Sequence, residues 1–267
     1  MPLMHIQLII LRTHKLKSKI YIMEIESLQI HLNSKSLSQG SINDAYFYIN
    51  TVEVPSEYQL HLRVLSASIP YSFYCVNSAN NILVIKIGSN LYTYVLNQGN
   101  YTITQFLAEL KSKVSTFTIT YDTIKSKLTF AYLANFSVSN LSTCLELIGF
   151  SDVTNIALLD SISNSITSIN CINLQTNHCI CVGTNFISNS ITIKDQKKPT
   201  IICCIPINSP PNSMITYINP SNYKINIFSS MFSLINIKLL DQNGTLIDLN
   251  GCHWSMTLQL DVIKFTE

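Results

Sequence analysis

The sequence predicts a mainly β fold, a sandwich or barrel of short strands interrupted by a small α+β insert. Three observations predict it. Apolar residues alternate with polar ones at period two near both ends of the chain, as in sheets with one buried face. A central block changes pattern and holds the best helical stretch. Turn residues and prolines divide the remainder into short segments, which is the spacing of sandwiches and barrels rather than of βαβ units.

Taken in order, residues 1–23 form an N-terminal arm. Its apolar start is followed by Arg12, His14, Lys15, Lys17 and Lys19, the reverse of the order in a secretory signal. Met23 is a second possible start, so the arm is either a flexible extension or an overextended reading frame. Leu28, Ile30 and Leu32 then alternate with Gln29, His31 and Asn33. The stretch 46–52 is aromatic and β-branched, and Leu60, Leu62 and Val64 alternate with His61 and Arg63. Pro70 breaks or edges the strand it follows.

From residue 79 the sequence reads as a ββαββα unit. Segments 82–87 and 92–96 suggest a hairpin. Thr102 fits a helix N-cap with Gln105 closing a capping box, and Ile103, Phe106, Leu107, Leu110 and Val114 follow at helical spacing. That stripe is expected to pack on its own hairpins. Segments 117–121 and 127–132 suggest a second hairpin, and 141–147 a short helix ended by Gly149.

Beyond 160, strands are expected at 190–194, 200–207, 223–228 and 234–240, confined by Pro206, Pro210, Pro211 and Pro220. Asp241-Gln242-Asn243-Gly244 is a strong turn signal, after which 247–249 resumes a strand and 256–262 closes the chain in alternation. The domain reading is an arm at 1–23, a β domain at 24–78 and 156–267, and an inserted domain at 79–155.

Composition narrows the function. Net charge is +2, too balanced for an electrostatic nucleic-acid binder. No apolar run reaches the length of a bilayer span, so no transmembrane segment is expected and the chain reads as soluble. Charged residues are 12% of the chain against about 25% in ordinary domains. Spread over the roughly 11,700 Å² expected of a 30.1 kDa monomer, the 17 basic and 15 acidic side chains give about one charge per 370 Å². Such a surface suits coverage by neighbours. An AT-rich coding bias, with Asn and Ser standing in for acids, would give the same numbers.

The candidate chemistry is thin. His178, Cys179, Cys181, Cys203 and Cys204 are the one group resembling metal ligands. They lack paired Cys-x-x-Cys knuckles. On strands Cys179 and Cys181 share a face while Cys203 and Cys204 point oppositely, so buried, reduced thiols of an intracellular protein are expected, with no metal and no cofactor. His253, with Asp248, Trp254 and Ser255 nearby, lies just past a turn and reads as a rim or interface histidine. No Gly-x-Ser-x-Gly elbow or phosphate loop is present. Glu24, Glu26, Glu53 and Glu57 do not pair for acid–base work. No catalytic residue is assigned, and the chain is not expected to be an enzyme.

Two stretches carry a family resemblance. The run 235–251, with its Asp-Gln-Asn-Gly and Asp-Leu-Asn-Gly turns, continued by Trp254-Ser255-Met256-Thr257-Leu258, resembles the closing pattern of the penton, or vertex capsid, proteins of polinton-like viruses, adintoviruses and virophages. Ser68 to Tyr74, Asn80-Asn81, Gly99 to Ile103 and Leu147 to Phe150 resemble the inserted module of that family in order. Together they span about half of the chain. The resemblance implies a single jelly roll, a homopentamer at each icosahedral vertex of a virion capsid, and contact with a double-jelly-roll major capsid protein. It implies a structural virion protein made inside the host cell, with the arm tying the vertex to its neighbours. A viral spike or receptor-binding module on the same scaffold is the alternative. A carbohydrate-active jelly-roll enzyme comes third, disfavoured by one tryptophan and dispersed acids.

Overall fold

The computed structural model describes residues 19–21, 27–150, 160–186, 199–221 and 223–264. The fold is mainly β, a jelly-roll sandwich interrupted by an α+β module. In chain order the elements are β1 (Lys19–Tyr21), β2 (Ser27–Asn33), β3 (Gln39–Ser41), β4 (Asp44–Glu53), β5 (Tyr58–Pro70), β6 (Ile82–Ile87), β7 (Asn90–Val95), α1 (Ile103–Lys113), β8 (Thr118–Asp122), β9 (Lys127–Ala131), β10 (Phe136–Val138) and β11 (Ser165–Thr167). They continue with β12 (Cys179–Thr184), β13 (Thr200–Pro206), β14 (Met214–Ile218), β15 (Ile225–Ile227), β16 (Met231–Leu240) and β17 (Ser255–Lys264).

Two sheets face each other. One runs β1-β4-β16-β12-β13, with β3 also on β4, and the other β14-β5-β17-β2, with β15 also on β5. The eight strands β2, β4, β5, β12, β13, β14, β16 and β17 pass from sheet to sheet in jelly-roll order, save that β12 and β13 are neighbours in one sheet. Alternation explains how they pack. Phe47, Ile180, Val182, Ile235, Ile237 and Leu239 point from the first sheet into a core met by Leu60, Leu62, Val64, Leu258, Leu260 and Val262 from the second. Each such side chain contributes about 1.5–3 kcal/mol on burial. Trp254 sits at the edge of this core. Its ring meets Phe47 edge-on at 5.9 Å and its Nε1 donates to the Ile42 carbonyl at 2.6 Å.

The turn after β16 forms as its residues require. Gly244 takes φ +83°, and the Asp241 carboxylate accepts from the backbone N–H groups of Asn243 and Thr245. The following segment differs from expectation. Residues 247–249 form no strand: Ile247 N–H donates to the Leu239 carbonyl, but the only ladder contact is a bridge between Leu240 and Leu246. Ile247 and Leu249 are instead buried at the sandwich end, where the chain crosses to the opposite sheet.

The module has its own core. Helix α1 begins with the capping box at Thr102 and Gln105, and it buries Phe106 and Leu110 against Leu83, Leu128 and Phe130. The hairpins β6–β7 and β8–β9 form, but in separate sheets, each extended by a strand the sequence did not show: β10 beside β6 and β11 beside β9. The expected helix at 141–147 is a set of turns with a single Ile148-to-Cys144 backbone bond. Gly149 ends it at φ +78°, where a Cβ would meet the Asn170 carbonyl oxygen at 2.3 Å, so only glycine fits. Ile166, Ile172 and Leu174 pack in this second cluster, although they follow residue 156.

The arm is described only at 19–21, which pair in parallel with Thr51–Glu53. The rest of it, Glu24, Glu26 and the strand expected at 190–194 lie outside the described residues. No helix among the described residues is long and apolar enough to cross a membrane.

Candidate functional site

Three places on the molecule bear on function. The first is the free edge of the second sheet. β14 and β15 both pair with β5, and neither pairs on its other side among the described residues. Period-two alternation turns Ile215 inward and leaves Met214 and Ile218 outward, 50% and 77% exposed. The chain beyond adds Tyr223, Phe228 and Met231, so five exposed large apolar side chains fall between residues 214 and 231. An edge strand with outward apolar side chains invites pairing with another chain. The signal in the sequence was the alternation in Met214-Ile215-Thr216-Tyr217-Ile218, which the surrounding prolines obscured. Phe186, Phe228, Phe232 and Leu234, with Asn185 and Ser229, line a depression in which Phe186 is edge-on to Phe232 at 4.9 Å.

The second place is a cleft of about 560 Å³ between sandwich and module. Tyr71, Ile207 and Pro210 line it from one side, and Cys75, Tyr101 and Leu174 from the other. His178 lines it as well and is not part of the cysteine cluster next to it in sequence. Burial raises the Tyr71 hydroxyl and Cys75 thiol pKa values, leaving both groups neutral at ordinary pH. No carboxylate is among the lining residues.

The third place is the thiol group. Strands β12 and β13 pair antiparallel with Cys181 opposite Cys204. Cys179 lies two residues from Cys181 and so shares its face. The Cys181 and Cys204 sulfurs are 3.1 Å apart and those of Cys179 and Cys181 3.8 Å apart. Cys203 points the other way, as its neighbour relation requires, and packs against the sandwich core. Burial pushes its thiol up to about 12. The hydrogen bond between Cys181 and Cys204 splits their behaviour: it lowers Cys204 to about 6 and, with burial, raises Cys181. The expectation of buried thiols holds for Cys75, Cys144 and Cys181, whereas Cys171, Cys204 and Cys252 are exposed. All eight are free. Pairing register brought three sulfurs together, and the register that sets Cys181 against Cys204, 23 residues on, is not visible in a ligand-spacing pattern.

His253 is hydrogen-bonded within the fold. Its Nδ1 is 3.0 Å from the Ser34 hydroxyl, whose oxygen also accepts from the Trp254 N–H at 2.9 Å. Asp248 accepts from the Asn250 N–H in a tight turn. Glu53 ends β4, and Glu57 lies exposed in the following turn.

No protein-family model and no curated protein sequence matches the chain. Among solved structures, a crystal structure of the selenomethionine-labelled mavirus penton protein matches with a TM-score of 0.49 and 11% identity, covering 89% of this chain and 100% of that one.

Proposed function

We propose that this chain is a structural virion protein, a penton base whose homopentamers close the fivefold vertices of an icosahedral capsid. The observation that carries the reading is the free β14–β15 edge with Met214, Ile218, Tyr223, Phe228 and Met231 exposed beside it. A heterologous contact made along that edge repeats from subunit to subunit and closes into a ring when the rotation is right. The low charge density supports covered surfaces. The jelly-roll strand order and the turn chemistry of 241–251 accord with the resemblance of the C-terminal run to vertex proteins. The double-jelly-roll major capsid protein is the expected partner, and the virion the expected location. We take the inserted unit to reach from about residue 75 to 174, the limits of the second core.

A specific observation favours one second reading. Leu91, Tyr92 and Val95 stand exposed on β7, away from the sandwich edge, as a receptor-contacting spike module would need.

Electron microscopy with mass measurement tests the proposal, on the purified chain alone and mixed with the major capsid protein. Five-membered rings are expected, and Ile218→Lys combined with Phe228→Lys should leave folded monomers. A wild-type chain that stays monomeric and ignores the shell protein would sink it.

A further inference from the structure

We propose that Cys179, Cys181 and Cys204 form a binding site for one thiophilic d¹⁰ cation of the zinc or copper(I) kind. Their three sulfur atoms lie within 4.8 Å of one another on the face of the β12–β13 pair that points away from the core. Thiolates held about 2.3 Å from a zinc ion in tetrahedral array lie about 3.8 Å from each other. The Cys179–Cys181 separation of 3.8 Å already has that value. The Cys181–Cys204 separation of 3.1 Å needs a side-chain rotation of a fraction of an ångström to reach it.

The backbone supplies what a metal site requires. Cys179 and Cys181 sit on one strand and Cys204 directly across the ladder, so two hydrogen-bonded strands fix all three Cβ positions before any ion arrives. Cys181 is buried and Cys204 exposed, which leaves one side of the triangle open to a fourth ligand or a water. Soft sulfur donors select soft ions over magnesium or calcium. Binding replaces thiol protons with the ion, so affinity rises with pH.

The strand pair is also the outer end of the first sheet, since β13 pairs only with β12 among the described residues. An ion bridging β12 to β13 would therefore clamp the outermost ladder of the sandwich.

The test is a cadmium titration of the full-length chain, reduced and freed of metal, read by the thiolate-to-cadmium charge-transfer band in the ultraviolet. One equivalent per chain is expected, displaced by excess copper(I), and its loss in Cys181→Ser and Cys204→Ser but not in Cys252→Ser. Alkylation of the wild-type chain, mapped by mass spectrometry, gives a check that needs no variant. Zinc should protect Cys179, Cys181 and Cys204 and leave Cys171 and Cys252 reactive. Absence of a stoichiometric band, a band that persists in the Cys204→Ser chain, or a Cys181–Cys204 disulfide that forms as fast with zinc as without it would overturn the proposal.

Discussion

The sandwich and the module are built by opposite strategies. Every pairing in the module's hairpins is local: β6 meets β7 and β8 meets β9 across short turns, with α1 between the two hairpins. The sandwich depends on distant partners. β2 lies against β17, with Ser27 paired to Asp261, and β4 lies against β16. Local pairing loses little chain entropy before contacts form, whereas distant pairing must close long loops first. The module can therefore organise before the sandwich, and a loop closure that grows only slowly in cost with length lets the sandwich tolerate it between β5 and β12. Each region keeps a separate hydrophobic cluster, so each is expected to have its own stability.

The largest effects that would break this comparison come from the two cores. Phe130→Ala in the module should cost about 3–5 kcal/mol, since Phe130 is fully buried. Trp254, the one tryptophan, reports on the sandwich alone. Urea unfolding followed by its fluorescence should be unmoved by Phe130→Ala while hydrogen exchange in β8 and β9 accelerates. A shift of both would show one cooperative unit. Leu260→Ala should do the converse at about 2–5 kcal/mol, lowering the tryptophan transition and leaving the module's exchange protected.

A smaller test concerns α1. Thr102→Ala removes the cap and should destabilise the module by about 1 kcal/mol, detectable as faster exchange in residues 103–106 with no change in the Trp254 signal.

The smallest effect separates the regions by pH. Burial pushes the Asp261 carboxyl up, but Lys224, Ser27 and Gln259 donating to it outweigh that and hold it below the ordinary value. A depressed folded value stabilises above the unfolded value of about 3.9 and loses that stability as pH falls through the folded one. The tryptophan transition should thus weaken on acidification below about pH 4, and Asp261→Asn should flatten that acid limb. An acid limb unchanged in the variant would assign the loss to other carboxylates.

The same contrast explains what could be read from the sequence. The capping box at Thr102, the turn at Asp241 to Gly244 and the alternation of β2, β5 and β17 are local signals, and each was legible. β12 was not, because Ile180 to Thr184 are all buried and the strand shows no alternation. The three-residue strands β10 and β11 offer too few positions for any period. The turns at 141–147 imitate a helix because Leu141, Leu145 and Ile148 keep helical spacing, yet Leu141 stays 62% exposed. Of the functional surfaces, the apolar edge was present as an alternation too brief to stand out. Of the thiol group the sequence showed the candidate cysteines and the shared face of Cys179 and Cys181, but not the place of Cys204 opposite Cys181, which depends on the register of β12 on β13.

β17 occupies the middle of its sheet, between β5 and β2. A ribosome makes it after every other strand described here. Until it emerges, β2 has no neighbour and β5 is paired along one side alone, by β14 and β15, while the module's strands pair without it. A chain halted before residue 255 would carry a formed module on an open sandwich. Closure of the second sheet thus waits on the last of these strands to be made.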